Sequence, residues 1–279
     1  MEILIAPHRA WWRPRLTELW EYRDLLRFLV YRDFVAKYKQ TILGPLWFII
    51  QPLATTLVFT IIFGNVAQIP TDGLPPVLFY LGGLLGWTYF AGTLNGTSNT
   101  FLANHHLYGK VWFPRLVSPL SVVAVNMLAF ALNVLVFAGF FLYFKFFTPA
   151  GDILPSGAGF LVLPGLLLVT ALLALGIGLW ISSFTAKYRD FQFLLGFLTQ
   201  LWMYATPIVY PLSQVPERWQ WVANLNPMTQ VIETYKYLLL GAGTVSTGGW
   251  IYTLGITGFL LYTGVLLFQR TERSVVDTV

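Results

Sequence analysis

LVSPLSVVAVNMLAFALNVLVFAGFFLYF, residues 116–144, contains no Asp, Glu, Lys or Arg. A helix that crosses the hydrocarbon core of a bilayer needs roughly 20 mainly apolar residues. Five other stretches share this freedom from formal charge, and they are 40–71, 73–109, 153–186, 191–216 and 237–269. Because each stretch is long enough for one spanning helix, the sequence predicts an all-α, polytopic membrane protein with six transmembrane helices.

We place the six helices near residues 43–64, 77–100, 117–144, 161–184, 191–210 and 249–268. Hydrophobic residues make up 56 % of the chain and charged residues only 10 %, which is typical of a multi-pass protein. We expect two parts: a cytoplasmic segment of residues 1–40 and a single six-helix transmembrane domain of residues 41–279.

The distribution of basic residues predicts the orientation of the chain. Fourteen of the 17 Lys and Arg residues lie in the N-terminal segment, the 101–116 and 185–190 loops and the tail. Only Lys145, Arg218 and Lys236 lie on the other side of the predicted spans. By the positive-inside rule, both termini should be cytoplasmic. The net charge of +5 then reflects topology and contact with anionic lipids, so we expect no nucleic-acid partner.

Residues 17–30 have the pattern of an amphipathic helix in the membrane interface, with Leu25, Leu26 and Leu29 on its apolar face. Asp33 would interrupt that face. The sequence therefore predicts a bend near residues 30–33 and a second short helix that ends near Gln40. This segment is interpreted either as a topological anchor or as the entrance for an anionic, lipid-linked substrate. In the second interpretation, the substrate meets Arg32, Lys37, Tyr38 and Lys39.

The segment between residues 210 and 248 combines prolines and several aromatic residues with four charges. Glu217, Arg218, Glu233 and Lys236 exclude a full span. We expect a pair of short external helices that re-enter the outer leaflet before the last span.

Several function classes lack their usual residues. The predicted spans hold no ionisable group of the kind that couples transport to ions. The Gly109-Lys110 pair lacks the other positions of a phosphate-binding loop, so a nucleotide-driven process would need a separate motor subunit. Paired catalytic acids are absent, and the adjacent His105 and His106 point about 100° apart on a helix. We therefore expect no catalytic residue, no metal site and no cofactor in this chain.

Two cytoplasmic loops are candidates for contact with such a motor. The loop FLANHHLYGKVWFPRL (101–116) is either a simple reversal with interfacial aromatics or a coupling helix that binds an ATPase. The 185–190 loop is a smaller candidate of the same kind. The residues that we assign to coupling are His105, His106, Tyr108, Lys110, Trp112, Arg115, Lys187 and Arg189.

The predicted spans are rich in glycine and aromatic residues. The second span has small residues four apart at Gly82 and Gly86 and at Gly92 and Gly96, which favours close helix packing over a gating role. The aromatic residues either form interface belts or line a pore in which sugar rings stack. The pore candidates are Trp47, Phe59, Trp87, Tyr89, Phe90, Trp202 and Tyr204.

Four motifs in this order resemble type-2 ABC exporter permeases of the polysaccharide and O-antigen group. They are YRDFVAKYKQTILGPLWFIIQPL (31–53), FGN (63–65), GKVWFPRLVSPLS (109–121) and YPLSQVPERWQWVANLNPMTQVIETYKYLLLG (210–241). The resemblance extends from about residue 20 onward. Many members carry an Arg where this chain has Lys37, so the charge is kept but a bidentate phosphate contact is lost.

The resemblance implies a homodimer of six-helix permeases with two copies of an ATPase that binds ATP and Mg. Such a complex exports a polyprenyl-pyrophosphate-linked polysaccharide across the bacterial inner membrane. The resemblance also implies that Lys37, Tyr38 and Lys39 lie at the substrate entrance and that the 101–116 loop contains the coupling helix. Teichoic acid and capsule exporters share these motifs, so the motifs do not identify which polymer is exported. A membrane enzyme acting on lipid-linked sugars and an ion-coupled flippase are the rival interpretations.

Overall fold

The computed structural model describes residues 16–39, 41–149, 155 and 157–276, except for the side chains of 16–18, 38 and 273–276. All regular structure in these ranges is helical. The helices are α1 (Leu16–Glu21), α2 (Arg23–Tyr38), α3 (Trp47–Phe59), α4 (Pro76–Ser98), α5 (Thr100–Tyr108), α6 (Val117–Phe147), α7 (Leu163–Thr185), α8 (Phe191–Tyr204), α9 (Glu217–Leu225), α10 (Pro227–Leu240) and α11 (Thr247–Val276). A π-helical segment, Thr60–Val66, continues α3.

Five of the predicted spans are present as helices long and apolar enough to cross a membrane. Within the described ranges they are Gly44–Val66, Pro76–Ser98, Val117–Phe147, Leu163–Thr185 and Thr247–Glu272. The prediction of an all-α, multi-pass membrane protein is confirmed.

The stretch that we placed at 191–210 forms only the 14-residue helix α8, followed by turns. At 1.5 Å per residue α8 is about 21 Å long, which is less than the hydrocarbon thickness of about 30 Å. The predicted end at residue 210 is wrong. Pro207 has no amide hydrogen with which to continue a helix, and the chain turns there. The total of six spans stays a prediction.

The N-terminal segment differs from its prediction in one respect. The bend expected near residues 30–33 is wrong, because α2 continues through it and the break from α1 lies at Tyr22. Asp33 does lie on the inner face, but Ser121 Oγ of α6 donates a hydrogen bond to its carboxylate (2.9 Å). A polar group with such a partner can face the interior of a protein without ending the helix. The boundary at residue 40 stays a prediction.

Helix α4 is the central helix of the bundle, and its glycines bring other helices close, as we predicted. A Cβ atom on Gly86 would lie 2.6 Å from the Tyr235 ring of α10, and one on Gly96 would lie 2.5 Å from Val122 of α6. Helices α7 and α11 pack in the same way, since a Cβ on Gly264 would lie 2.6 Å from the carbonyl oxygen of Gly176. Small residues are a common means of close packing between membrane helices.

The segment of residues 210–248 contains two short helices, α9 and α10, as expected. Its external side and its re-entry into the outer leaflet stay predictions. Asn226 joins them and caps the N-terminus of α10, accepting a hydrogen bond from the Met228 amide at 3.0 Å. It also accepts from Trp202 Nε1 (2.9 Å) and donates to Thr206 Oγ1 (2.8 Å). These contacts connect α10 to the end of α8.

The bundle has two distinct ends. At one end, which we call the α5 end, Thr185 of α7 donates a hydrogen bond to the carbonyl of Ser98 (2.6 Å). At the same end, Phe268 of α11 stacks on Phe101 with 4.4 Å between ring centroids. The basic loops 101–116 and 185–190 therefore lie together, and α9 lies at the opposite end. This arrangement is the one that the charge distribution requires, with the α5 end predicted to be cytoplasmic.

Candidate functional site

The site begins with α2, which carries the predicted entrance residues and packs against α6. Leu29 of α2 is buried together with Phe113 and Val117. The helix is therefore fixed to the bundle along its apolar face, and its polar residues have defined positions.

Arg32, a predicted entrance residue, is engaged within the chain. Its Nη2 atom donates to Asp33 Oδ1 (2.6 Å) and to Asn104 Oδ1 of α5 (3.0 Å). Asp33 in turn accepts from Ser121 of α6. This network joins α2, α5 and α6 through charge-assisted hydrogen bonds.

Lys37 differs from Arg32, because its ammonium group has no carboxylate within ion-pair distance among the described residues. Its Nζ atom lies 5.7 Å from the Phe48 ring centroid. The side chain is exposed, but nearby protein atoms displace enough water to lower the pKa of Lys37, and the charge of Asp33 opposes that shift. Lys39 is also exposed. Tyr38 ends α2, and its side chain lies outside the described residues.

Two adjoining cavities open beside Lys37. The first, of about 440 Å³, lies between α2, α4, α5 and α6 and is lined by Arg32, Asp33 and His106 among others. The second, of about 560 Å³, extends between α3, α4 and α6. Both are lined by Lys37, Gly92 and Asn126, which form a shared waist. The structure thus places one predicted entrance cation beside two half-open cavities that have polar groups in a mainly apolar lining.

The predicted coupling residues in the 101–116 loop divide into two groups. His105, His106, Lys110 and Trp112 are exposed, and the Trp112 side chain is 72 % accessible. The chain forms a nine-residue helix, α5, directly after α4. This exposed helix and the turn after it provide a basic, aromatic surface at the α5 end.

Arg115 occupies a different position, because it is buried at 6 % exposure. Its guanidinium donates to the backbone oxygen of Glu272 in α11 (3.1 Å) and lies 4.8 Å from the Tyr108 ring centroid. Burial raises the pKa of the half-buried Tyr108. Arg115 and Tyr108 therefore support the loop from within, and their part in coupling stays a prediction.

The 185–190 loop lies beside α5 through the contact of Thr185 with Ser98. Lys187 and Arg189 are exposed, and Lys187 Nζ lies 5.1 Å from the Tyr188 ring centroid. The structure thus brings together the two loops that were assigned to coupling. Their contact with an ATPase stays a prediction.

The predicted pore aromatics are divided between core and surface. Trp87, Tyr89 and Phe90 are buried inside the helix bundle, where Phe90 packs edge-on against Trp202 with 5.2 Å between ring centroids. Phe59 is also buried, in contact with Tyr80. Trp47 and Tyr204 are exposed at 42 % and 44 %. A pore role for any of them stays a prediction.

Sequence reasoning missed a buried ion pair in α10. Glu233 and Lys236 are exposed at only 2 % and 1 %, with 3.5 Å between Oε1 and Nζ. Lys236 also donates to the carbonyl oxygen of Pro207, and Glu233 accepts from the Thr244 amide (2.8 Å). The signal was present in the spacing, since Glu and Lys three residues apart share one helix face.

Sequence reasoning also missed a set of asparagines that line the cavities. Asn95, Asn99 and Asn104 follow one another at intervals of four and five in a stretch without formal charge, and Asn126 faces them from α6. Polar side chains inside a charge-free window are a detectable signal for a hydrated space.

Comparison with known proteins agrees with this architecture. The model of the family described as "ABC-2 type transporter" matches residues 24–240. An O-antigen export system permease protein RfbA from Klebsiella pneumoniae is 28 % identical over 250 residues, covering 89 % of this chain and 92 % of the relative. RfbA from Myxococcus xanthus is 28 % identical over 272 residues, covering 95 % and 98 %. The polysialic acid transport protein KpsM from Escherichia coli is 23 % identical over 252 residues, covering 90 % and 94 %. The chain belongs to the ABC-2 type transporter family.

Proposed function

We propose that this chain is the permease subunit of an ABC exporter that moves a polyprenyl-pyrophosphate-linked polysaccharide of the O-antigen type across the bacterial inner membrane. Two copies of the permease form the channel, and two copies of a separate ATPase subunit bind ATP and Mg and drive transport. Both termini lie in the cytoplasm. Family membership and the relatives named as O-antigen export permeases support this function.

The observation that carries the proposal is the contact of the α2 segment with the 101–116 loop, which contains most of α5. Arg32 contacts Asn104, and Tyr22 approaches Trp112 with 6.4 Å between ring centroids. The helix with the entrance cation therefore touches the helix with the exposed coupling surface. A motor that moves α5 would move the substrate entrance through these direct contacts.

The exposed face of α8 supports a second copy of the chain as a partner. Phe193, Phe197 and Leu201 recur every four residues and are 73 %, 59 % and 48 % exposed. Leu195 and Thr199, on the other side, are buried against the bundle. In a bilayer such a face contacts either lipid or another apolar helix, and the proposed homodimer uses it as the interface.

Reconstitution of the permease with its ATPase in proteoliposomes tests the proposed function. Export of the lipid-linked glycan should require hydrolysis, so an ATPase variant that binds ATP without hydrolysing it should stop export. Continued export with that variant would show that the chain is not part of an ATP-driven exporter.

The entrance role of Lys37 and Lys39 has its own test. The double variant Lys37→Gln/Lys39→Gln should reduce export without reducing membrane insertion, because it removes the charges that attract a pyrophosphate. A variant with the exposed Arg218 of the opposite end changed to Gln serves as the matched control for loss of positive charge. Equal export by the unmodified chain, the double variant and the Arg218→Gln control would reject the entrance role.

The docking role of the α5 end is tested by co-purification of the ATPase. Trp112→Ala should release the ATPase, since exposed Trp residues are frequent anchors of interfaces. Trp221→Ala is the matched control, because Trp221 is 63 % exposed at the opposite end in α9. Undiminished pairing of Trp112→Ala with the ATPase would contradict the assignment.

The second candidate function is export of a capsular polysaccharide. The similarity to KpsM favours it, although the identity of 23 % is lower than that of the RfbA relatives. The same reconstitution separates the two candidates when it is supplied with each lipid-linked polymer in turn.

A further inference from the structure

The two adjoining cavities form one two-lobed space inside a single protomer. Their volumes, about 440 and 560 Å³, are in the range of small-molecule binding sites. The lower lobe begins at α2, and the upper lobe lies between α3 and α6. Gly92 forms part of the waist, where an added Cβ would lie 3.2 Å from Asn126 Oδ1. The absence of a side chain at this position keeps the lobes connected.

Three amides on the cavity wall have a fixed orientation. The Nδ2 atoms of Asn95, Asn99 and Asn126 donate to backbone carbonyls four residues earlier, at 2.8, 3.0 and 3.0 Å. Because a carbonyl oxygen only accepts, each amide nitrogen must face its own helix. The Oδ1 atom then points away from the backbone, and the second N–H stays available.

The Asn99 side chain lines the lower lobe, but its Oδ1 atom is buried and has no hydrogen-bond partner in the described part of the chain. A ligand in the cavity does not reach that oxygen. Asn95 lies one turn away on the same face of α4 and lines the same lobe. Asn95 of α4 and Asn126 of α6 therefore supply the amide oxygens that a ligand in the cavity can reach.

The cavity wall is mostly neutral. Arg32 is engaged by Asp33 and Asn104, which leaves Lys37 as the cation at the waist. The upper lobe adds hydroxyl and amide groups, which belong to Gln51, Thr55, Thr88, Tyr89 and Asn133. A phosphate site gathers several cationic or N–H donors, whereas amide edges that both accept and donate match hydroxyl groups, which do the same.

We propose that this two-lobed cavity is a sugar-binding site within each protomer, at which Asn95 and Asn126 hydrogen-bond the hydroxyls of neutral pyranose units. The proposal rests on the proposed function, because it specifies where the permease holds part of the glycan. Asn95 meets the sugar in the lower lobe, and Asn126 reaches both lobes from the waist.

The test uses the full permease–ATPase complex in lipid nanodiscs. The chain contains no cysteine, so a single introduced cysteine reports on one position. Thr55→Cys places the reporter in the upper lobe and leaves every amide in place. Leu57→Cys is the matched control on the same helix, at a side chain that is 61 % exposed on the outer surface. A charged thiol reagent should modify Leu57→Cys on the order of tenfold more slowly, because lipid suppresses the thiolate.

Free N-acetylglucosamine, galactose and rhamnose are the probes, with inorganic pyrophosphate as the comparison. At least one sugar should slow the labelling of Thr55→Cys, by about twofold when its concentration equals its Kd. Asn126→Leu, of similar size but without the amide, should abolish this protection. Three results would overturn the proposal: no protection by any sugar, protection by pyrophosphate alone, or protection that survives Asn126→Leu. Equal labelling of the two cysteines would also overturn it, since the cavity would then hold lipid.

ATP-dependent export is measured on the same preparation, so that a failure of the cavity site can be distinguished from a failure of the proposed exporter function. Hydrolysis-driven export without sugar protection would reject the cavity site and leave the exporter intact. Export without hydrolysis would reject the proposed function, whatever the labelling showed.

Discussion

Helices α8 and α10 are both 14 residues long and are separated in the chain by turns and the short helix α9, but their environments are opposite. In α8, Phe193 and Phe197 are 73 % and 59 % exposed. In α10, Val231, Ile232 and Tyr235 are fully buried against the bundle. The exposed helix has no charged residue, whereas the buried one contains the Glu233–Lys236 pair.

The difference shows that hydropathy and burial within the protein are separate properties of a membrane protein. An apolar helix needs no protein partner in lipid, so α8 is free to contact lipid or a second copy. A charged helix can enter the core when each charge has partners, as Pro207 and Thr244 supply for α10. Four substitutions would break or sharpen this contrast, in order of decreasing expected loss of stability.

Lys236→Met should have the largest effect. It removes the cation from Glu233 and the donor from the Pro207 carbonyl, so both groups are left buried without their partner. Removing one member of a buried ion pair costs about 3–5 kcal/mol. The free energy of unfolding, measured by denaturant titration in detergent with Trp fluorescence, should fall by that amount.

The double variant Glu233→Gln/Lys236→Met is the control for this loss. It removes both charges at similar side-chain volume, and such replacements of a buried pair are often close to neutral. Most of the stability should return. A single variant as stable as the unmodified chain would show that the pair does not hold α10 in place.

Gly86→Ala should have the next largest effect, because its methyl group would meet the Tyr235 ring at 2.6 Å. Overpacking of this kind costs about 1–3 kcal/mol. Gly196→Ala in α8 is the matched control, since a Cβ there meets nothing within 4 Å. It should leave stability unchanged or raise it by up to about 1 kcal/mol through helix propensity. Equal losses at the two positions would contradict the contrast between α8 and α10.

Asn226→Ala removes the N-cap of α10 and two hydrogen bonds to the end of α8. Loss of an N-cap costs about 1 kcal/mol and up to about 2 in some proteins. Asn224→Ala is an informative control, because Asn224 Oδ1 is buried without a partner among the described residues. We expect thermal unfolding to move to lower temperature for Asn226→Ala only. A similar shift for both variants would exclude a specific role for the cap.

The spans and the external helix pair could be predicted because their signals are local. Charge-free windows mark the lipid-crossing segments. Pro216 immediately precedes α9, and Pro227 is the first residue of α10. The position of α10 could not be predicted, since Lys236 finds Pro207 29 residues away. A lysine in a short amphipathic segment looks exposed until that partner is known.

The site was predictable to the same extent. Lys37 was selected because of its charge next to the first span, and its role at a substrate entrance stays a prediction. The different environments of Arg32 and Lys37 could not be predicted, because Arg32 is bound by Asn104, which lies 72 residues further along the chain. The burial of Arg115, which we assigned to the coupling loop, could not be predicted either, since its partner Glu272 is 157 residues away. Long-range pairing decides whether a cation faces a ligand or the protein, and one sequence does not contain that information.

Phe197→Ser should have the smallest effect on folding and the most informative effect on assembly. Because Phe197 is exposed, the free energy of unfolding of the protomer should change by no more than about 0.5 kcal/mol. If α8 forms the dimer interface, the variant should shift the dimer towards monomer, since a truncated interface aromatic often costs 2 kcal/mol or more. Leu142→Ser on the exposed face of α6 is the matched control, at 51 % exposure. Sedimentation velocity in detergent measures the oligomeric state of both variants. A dimer that persists in Phe197→Ser would assign α8 to lipid, and its exposure would then reflect the bilayer alone.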